Sequence, residues 1–414
     1  MVYVLNKHNQ PLMPCSSGRA RRLLGTGKAS VVKRTPFVIR LNNGSSGYRQ
    51  PVSLGIDSGF TYIGVSAVSE EKELYAAEVQ LRTDIVDLNS ERRMYRRNRR
   101  GRKTWYRQPR FDNRKKIEGW LAPSIQHKLD SHLKVIEKIK AILPVFNTII
   151  EVAAFDIQKI KNPDTEGVDY QNGEQSGFWN VREYVLHRDG HKCQAPKCSR
   201  KDKILNVHHI ESRKTGGDRP GNLITLCESC HKKHHRGEIT LKIKRSNGFK
   251  AETFMSMVRW RLVNQTGAGH TYGYITKSNR IGLDIEKSHI NDAFVIAGGT
   301  NQARAEELLV KQVRKSNRKL FKGERSHIRN TAPRLVHGFQ RFDKVEYNGV
   351  EAFIFGRRST GYFDLRMLDG TRIHASARSV NLIRLESSGT YLIERRVKDQ
   401  GKHSSHAIPP ATSP

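Results

Sequence analysis

The chain has 414 residues, with 74 lysines and arginines against 40 acids, a formal charge of +34. That length holds two to four domains with cores of their own, and so large a basic excess points to a polyanion spread over a wide surface. No long apolar run or amphipathic anchor is present to make a membrane the target of that charge. The opening MVYVLNKHNQPLMP has no signal-peptide core, so a cytoplasmic location is expected. Five cysteines, four of them in one segment and Cys15 alone, fit a reducing compartment.

The first fifty residues hold a short apolar strand, Val2 to Leu5, then QPLMP and a basic run of Arg19, Arg21, Arg22, Lys28, Lys33 and Arg34. By themselves these bases read as a solvated face. PVSLGIDSGFTYIGVSAV, residues 51–68, alternates apolar and small residues and predicts two strands joined at a turn. Asp57 ends the first of them between Gly55 and Gly59, where small neighbours let a phosphate approach; Asp before Gly is also ordinary turn chemistry. From Ser90 to Arg110 the chain is crowded with Arg92, Arg93, Arg96, Arg97, Arg99, Arg100, Arg102, Lys103 and Arg107. A helix capped by Ser90 is expected. Its like charges repel until a phosphate backbone neutralises them. Met94, Tyr95, Trp105 and Tyr106 are interleaved for packing or stacking, which argues against a disordered tail. Residues 124–143 have the apolar spacing of an amphipathic helix. Residues 146–156, FNTIIEVAAFD, read as a buried strand holding Glu151, and acids are seldom buried unless paired or on a metal.

Residues 162–177 are polar and Gly-rich and read as a linker. Beyond them, Cys193/Cys198 and Cys227/Cys230 have four and two intervening residues, suiting four thiolates on one tetrahedral zinc. Four cysteines leave no open position, so that zinc is structural. Between and after the pairs lie His208, His209, Asn222 and His231. A second linker is expected near 246–254, a helix over 251–263 and a strand over 271–277. Residues 287–298 then begin a helix with His289 and Asp292 on one face. Asp57, Glu151 and Asp292 could hold two divalent ions about 4 Å apart for in-line phosphodiester cleavage. Hard oxygen ligands favour Mg2+ or Mn2+. His289 would serve as base or as partner of the attacking water, and the alternative for Asp292 is a cap or structural pair. Another basic run occupies 311–329. Short alternating strands fill 339–396, with turns at Asn348-Gly349 and Asp369-Gly370, predicting a small β domain. There Arg357, Arg358, Tyr362 and Arg366 are candidates for reading a duplex, and a stability or protein-contact role is the alternative. Residues 401–414 read as a disordered tail.

The cysteine frame with its His-His, Asn and His order resembles the HNH nuclease family. That resemblance implies His209 as general base, Asn222 orienting it, and His208 (in place of the family's usual Asp) and His231 as ligands of a catalytic ion. His234 or His235 could substitute for His231. The three acids on separate segments resemble the RuvC nuclease domain. Taken together, QPLMP, GIDSG, the Arg-rich segment, IIEVAAFD, the inserted HNH unit and HIND resemble IscB, the transposon-encoded RNA-guided nuclease family related to the type II CRISPR effector. The implied fold is a multidomain α/β protein. It has a ribonuclease-H-like (RuvC) core, an inserted zinc-stabilised ββα-metal HNH domain, an Arg-rich bridge helix and a small C-terminal β domain. The expected boundaries are 1–52 (N-terminal module), 53–88, 113–162 and 251–310 (RuvC-like segments), 89–112 (bridge helix), 163–250 (HNH), 311–400 (guide-RNA and target-adjacent-motif region) and 401–414 (tail). The implied activity is RNA-guided cleavage of double-stranded DNA, the HNH site cutting the guide-paired strand and the RuvC-like site the displaced strand. Implied partners are a guide RNA (ωRNA) and target DNA with an adjacent motif, bound by a monomeric protein in a ribonucleoprotein. Implied cofactors are Mg2+, two ions at the RuvC-like site and one at the HNH site with Mn2+ as substitute, and structural Zn2+. A protein-guided mobile-element HNH endonuclease and a non-cleaving RNA-binding protein are the competing readings.

Overall fold

The computed structural model describes residues 1–103, 118–152, 178, 180–196, 198, 204–210, 220–241, 250–314 and 333–396. The expected linker at 162–177, most of the basic run at 311–329, and the tail at 401–414 lie outside them, as do Trp105, Tyr106 and Arg107. Two compact units form, residues 1–153 with 257–414, and residues 154–256.

The first unit opens with β1 (Val2–Leu5), β2 (Pro11–Cys15), α1 (Ser17–Gly25), β3 (Ala29–Lys33) and β4 (Val38–Leu41). The prolines of QPLMP fall on β2, an edge strand of the sheet β2-β1-β4-β3, where a missing N–H is tolerated. Next come β5 (Ser53–Ser58), β6 (Tyr62–Val68), β7 (Glu73–Gln80), α2 (Ile85–Lys103), α3 (Pro123–Lys140) and β8 (Asn147–Glu151). The second unit contains α4 (Val181–Arg188), β9 (Leu205–His209), β10 (Leu223–Cys227) and α5 (Glu228–His235). The chain continues through α6 (Lys250–Thr266), β11 (Gly269–Thr271), α7 (Gly273–Gly282), α8 (His289–Ile296) and β12 (Glu307–Gln312). It closes with β13 (Lys344–Tyr347), β14 (Val350–Arg357), β15 (Tyr362–Arg366), β16 (Arg372–Arg378), β17 (Ile383–Glu386) and β18 (Tyr391–Arg395).

Seven strands form the main sheet in the order β11-β8-β5-β6-β7-β12-β18. β5, β6 and β7 are an antiparallel meander, whereas β8 runs parallel to β5 and β11 parallel to β8. Leu54, Ile56, Ile63, Val65 and Ala67 are all fully buried, as expected of strands covered on both faces. α3 buries Leu129, Val135, Ile136 and Ile139, while α8 packs Ile290, Ala293 and Phe294 in the first unit's core. The strands β16-β15-β14-β13-β17 form a separate antiparallel sheet around Val345, Ile354, Phe363 and Leu365. Its Asn348-Gly349 turn has φ of 50° and 78°, the left-handed pair that a two-residue hairpin needs.

Three expectations change. Ser90 does not cap the Arg-rich helix but lies inside it, because Ile85, Val86 and Leu88 already continue the helical run and Asp87 favours its first turn. Residues 271–277 are not a strand: β11 stops at Thr271 and α7 begins at Gly273. The boundary expected at 310/311 falls within β12, and β18 leaves the C-terminal sheet to pair with β12 in the main one.

Candidate functional site

Two clusters of chemistry emerge, one in each unit. In the first, Asp57 at the end of β5 pairs across the ladder with Gly64 of β6, and β8 brings Glu151 to the same end of the sheet. The missing side chain of Gly64 positions the third element. A Cβ built there would lie 1.8 Å from the His289 carbonyl oxygen, and one built at Gly55 would lie 2.1 Å from that of Ala293. These glycines let the N-terminal turns of α8 settle onto the sheet. Ser288 caps that helix by accepting from the Asn291 N–H at 3.1 Å.

His289 Nδ1 meets Asp57 Oδ2 at 2.6 Å, and Tyr62 stacks on the imidazole with centroids 5.7 Å apart. The Asp57 hydrogen bond raises the His289 pKa against the opposing effect of burial. Burial pushes the Glu151 carboxyl up to about 7, against the Thr276 hydroxyl that donates to it; Asp57 and Asp292 add like charge. Asp292 is likewise raised by burial and Asp57, and Arg280 opposes the shift. Arg280 Nε approaches Asp292 Oδ1 at 2.9 Å, an ion pair without a well-aligned N–H, so the structural pairing of Asp292 is present. Each acid is therefore matched by a base or by its own raised proton affinity. Among the described residues these oxygens do not crowd within 4.8 Å of one another as ligands of a single ion would. Three half-buried carboxylates with mutual repulsion nonetheless suit hard divalent cations such as Mg2+ or Mn2+. Arg280, Thr276 and Tyr62 escaped the sequence reading.

In the second unit β9 and β10 pair antiparallel, with His208 opposite Ile224 and His209 opposite Leu223. Alternation along β9 sends these two histidines to opposite faces. The His208 ring lies 5.0 Å from His231, 4.8 Å from His234 and 5.0 Å from His235 on α5. Ligand nitrogens of His208, His231 and His235 fall within 4.8 Å of one another, and the Nε2 atoms of His231 and His235 are 3.2 Å apart. His234 instead has Nδ1 3.1 Å from the Ile239 carbonyl, so His235 is the one that joins His231. Burial, aided by its three neighbours on α5, lowers the His208 pKa to about 4 and keeps it neutral, the form that binds metal. A three-imidazole set fits a transition ion better than Mg2+, which departs from the Mg2+ expected at this position.

Asn222 is 1% exposed, and its carbonyl accepts from the Ile210 N–H at 2.8 Å. Arg188 at the end of α4 fixes this turn: its two terminal nitrogens donate to the Pro220 and Leu223 carbonyls at 2.8 and 2.9 Å. Its Nε pairs with Asp189, whose other oxygen accepts the Thr225 N–H at 2.9 Å. Sequence inspection offered no reason to single out Arg188. The sulfurs of Cys193, Cys198, Cys227 and Cys230 also converge within 4.8 Å, with Cys198 and Cys227 3.9 Å apart. A tetrahedron of 2.3 Å zinc–sulfur bonds has edges of about 3.8 Å, so the frame fits zinc. Burial and neighbouring thiols raise the Cys230 pKa, as expected when thiols crowd a site built for a cation.

Among the bases singled out in the sequence, Arg92, Arg93, Arg96, Arg97, Arg99 and Arg100 are exposed on α2. Arg107 and the side chains of Arg102 and Lys103 lie outside the described residues. Arg357 differs: its guanidinium donates to the carbonyls of Pro333, Arg334 and Phe339, so it braces its own domain. Arg358 contacts Ser376 at 3.3 Å, and Arg366 is paired with Asp364 at 2.7 Å.

Two family models match separate parts of the chain. Residues 2–173 match the family described as RRXRR protein, and Arg96-Arg97-Asn98-Arg99-Arg100 spells that pattern. Residues 193–237 match HNH endonuclease. Anaredoxin from Nostoc sp. (strain PCC 7120 / SAG 25.82 / UTEX 2576) is 32% identical over 66 residues, covering 16% of this chain and 84% of that protein. The chain is thus a nuclease carrying an HNH endonuclease domain, the class of metal-dependent phosphodiester hydrolases. The Arg-rich RRXRR region ahead of that domain gives the chain an IscB-like architecture. Among the described residues no helix is long and apolar enough to cross a membrane.

Proposed function

We propose that this protein is an RNA-guided endonuclease for double-stranded DNA, with two separate cleavage sites. The observation that carries the two-site reading is the meeting of Asp57, Glu151, His289 and Asp292 from β5, β8 and α8, far along the chain from the HNH histidines. The surrounding sheet supports a ribonuclease-H-like core: a three-stranded antiparallel meander is extended on its first strand by two parallel strands. Divalent cations would polarise the scissile phosphate and stabilise the leaving oxygen at each site. At the first site Asp57, Glu151 and Asp292 supply oxygen ligands, and His289 accepts the proton of the attacking water. At the second, His208, His231 and His235 supply nitrogen ligands, His209 acts as general base and Asn222 orients it. The exposed arginines of α2 bind the backbone of a guide RNA, so that pairing supplies the sequence specificity and the protein reads shape. The HNH site cuts the guide-paired strand and the carboxylate site the displaced one.

The test is strand-specific. With the RNA that co-purifies from the native locus and a matched duplex labelled on each strand, Asp57→Ala should lose only the displaced-strand nick and His209→Ala only the guide-paired one. Loss of both nicks from either folded variant would refute independent sites. Cleavage that needs no RNA would refute guidance.

A further inference from the structure

Beside the carboxylate site runs a row of rings that the chemistry above leaves unused. Trp260 on α6 meets His270 on β11 at 5.2 Å between centroids, and His270 meets Tyr272 at 5.6 Å. Tyr272 stacks on Tyr274 at 5.9 Å with planes 10° apart. In a protein core such a chain of rings would need no comment, but here Tyr274 is 72% exposed and Trp260 43% exposed. The row also has a definite end. Val152 N–H donates to the Thr271 carbonyl at 2.9 Å, and Thr271 is the register partner of Glu151. Gly273, between the two stacked tyrosines, lies so close to the acid that a Cβ there would stand 3.1 Å from Glu151 Oε1. The stacked pair therefore brackets the glycine whose missing side chain leaves room for the Glu151 carboxylate.

We infer that Trp260, His270, Tyr272 and Tyr274 form a stacking platform that binds the bases of single-stranded DNA and leads the strand into the Asp57–Glu151–Asp292 site. This deepens the proposed function and rests on its assignment of a cleavable strand to that site. Three features select this occupant. Aromatic rings accept any base by its π-face, as a guided enzyme requires for a strand whose sequence varies. The neighbouring charge is complementary: Lys277 is exposed on α7, Arg259 lies 5.9 Å from the Trp260 ring, and the chain as a whole is strongly basic. The row is continuous with the acids, so a strand whose phosphate reaches them has its bases at the rings. A duplex keeps its bases stacked on each other and offers these rings no free face, which restricts the platform to an unpaired strand.

The test uses the full-length protein with Asp57→Ala to prevent cleavage, and fluorescein-labelled oligothymidylate read by anisotropy. The salt concentration is raised until phosphate contacts, which weaken steeply with salt, no longer dominate. Tyr274→Ala should bind about tenfold more weakly. Tyr274→Phe should bind as the parent, and Tyr274→Leu should follow Ala, with unchanged unfolding temperatures throughout. Equal binding by the Phe and Leu variants would overturn the platform, since bulk without a π-face would then suffice. A Phe–Leu difference seen with oligouridylate and absent with oligothymidylate would also overturn it and assign the rings to RNA. In the Asp57 background alone, unchanged cutting of both strands would refute the carboxylate site while leaving the stacking result independently readable.

Discussion

Gly64→Ala tests the geometry on which the carboxylate site depends. A Cβ at this position would stand 1.8 Å from the His289 carbonyl oxygen and 2.4 Å from its carbon. An ordinary carbon–oxygen contact is about 3.4 Å, so the first turn of α8 must retreat by roughly 1.6 Å or β6 must yield by as much. Both obstructing atoms are backbone, so no side-chain rotation relieves the clash. Overpacking of this kind costs about 1–3 kcal/mol of stability. Because His289 and Asp292 ride on the displaced turn, a shift above 1 Å should slow the carboxylate-site nick by about 100-fold or more. The second unit carries the HNH residues on its own strands and helix, so its nick should persist. The assay is single-turnover nicking of each labelled strand beside thermal unfolding, with Gly269→Ala as control. There the nearest atom to a new Cβ is the Thr148 carbonyl oxygen at 3.7 Å, an ordinary contact. A Gly64→Ala protein with parental rates at both strands would refute the close seating of α8 over Asp57.

Other outcomes follow from the same structure. The two sites should differ in metal requirement: Mg2+ alone sustains the carboxylate-site nick, whereas the three-imidazole site needs Mn2+, Co2+ or Ni2+. Identical metal profiles for the two nicks would contradict the donor sets. Cys227→Ser should release one zinc per chain, read by elemental analysis, and make residues 154–256 selectively sensitive to protease, because zinc supplies folding energy. Zinc retention with intact protease resistance would remove the structural role. His132, 2% exposed, has Nδ1 2.8 Å from the Lys128 carbonyl, and burial lowers its pKa to about 4. Because the unfolded imidazole titrates near 6.5, the fold has its full contribution from this residue above that pH. It loses up to about 3 kcal/mol as pH falls from 6.5 toward 4. Urea midpoints of His132→Asn should vary less over that interval, and an unchanged slope would show that other groups carry the acid sensitivity.

The parts of the sites legible in the sequence are those whose signal is local. Cysteine spacing reports a sulfur frame because the members of each pair are close in the chain, and Glu151 stands out because Ile150 and Val152 beside it are apolar and buried. Arg188 gave no such signal, since the carbonyls it holds lie more than thirty residues away and a lone arginine on a short helix resembles any surface base. Residues 271–277 misled for a different reason. Tyr, Ile and Thr favour strands when judged by propensity, but Thr276 and Arg280 are four apart, a helical spacing that faces both side chains the same way. Thr276 reaches Glu151 and Arg280 reaches Asp292, so tertiary contact with the acids outweighs the propensity.

That same helix bears on how the acids coexist before a cation arrives. Asp57 has His289, Asp292 has Arg280, and the pKa of Glu151 is pushed up to about 7. A site selected only for stability would have little reason to gather three half-buried acids whose charges repel. Both partners are themselves held, Arg280 by the Ile285 carbonyl at 2.9 Å and His289 by the stacked Tyr62 ring. The HNH histidines differ: burial and the neighbouring rings hold the His208 pKa down to about 4, and burial lowers that of His231. The two proposed ligand sets thus differ in donor chemistry, carboxylates in one and imidazoles in the other, and that difference is what the metal-dependence assay reads.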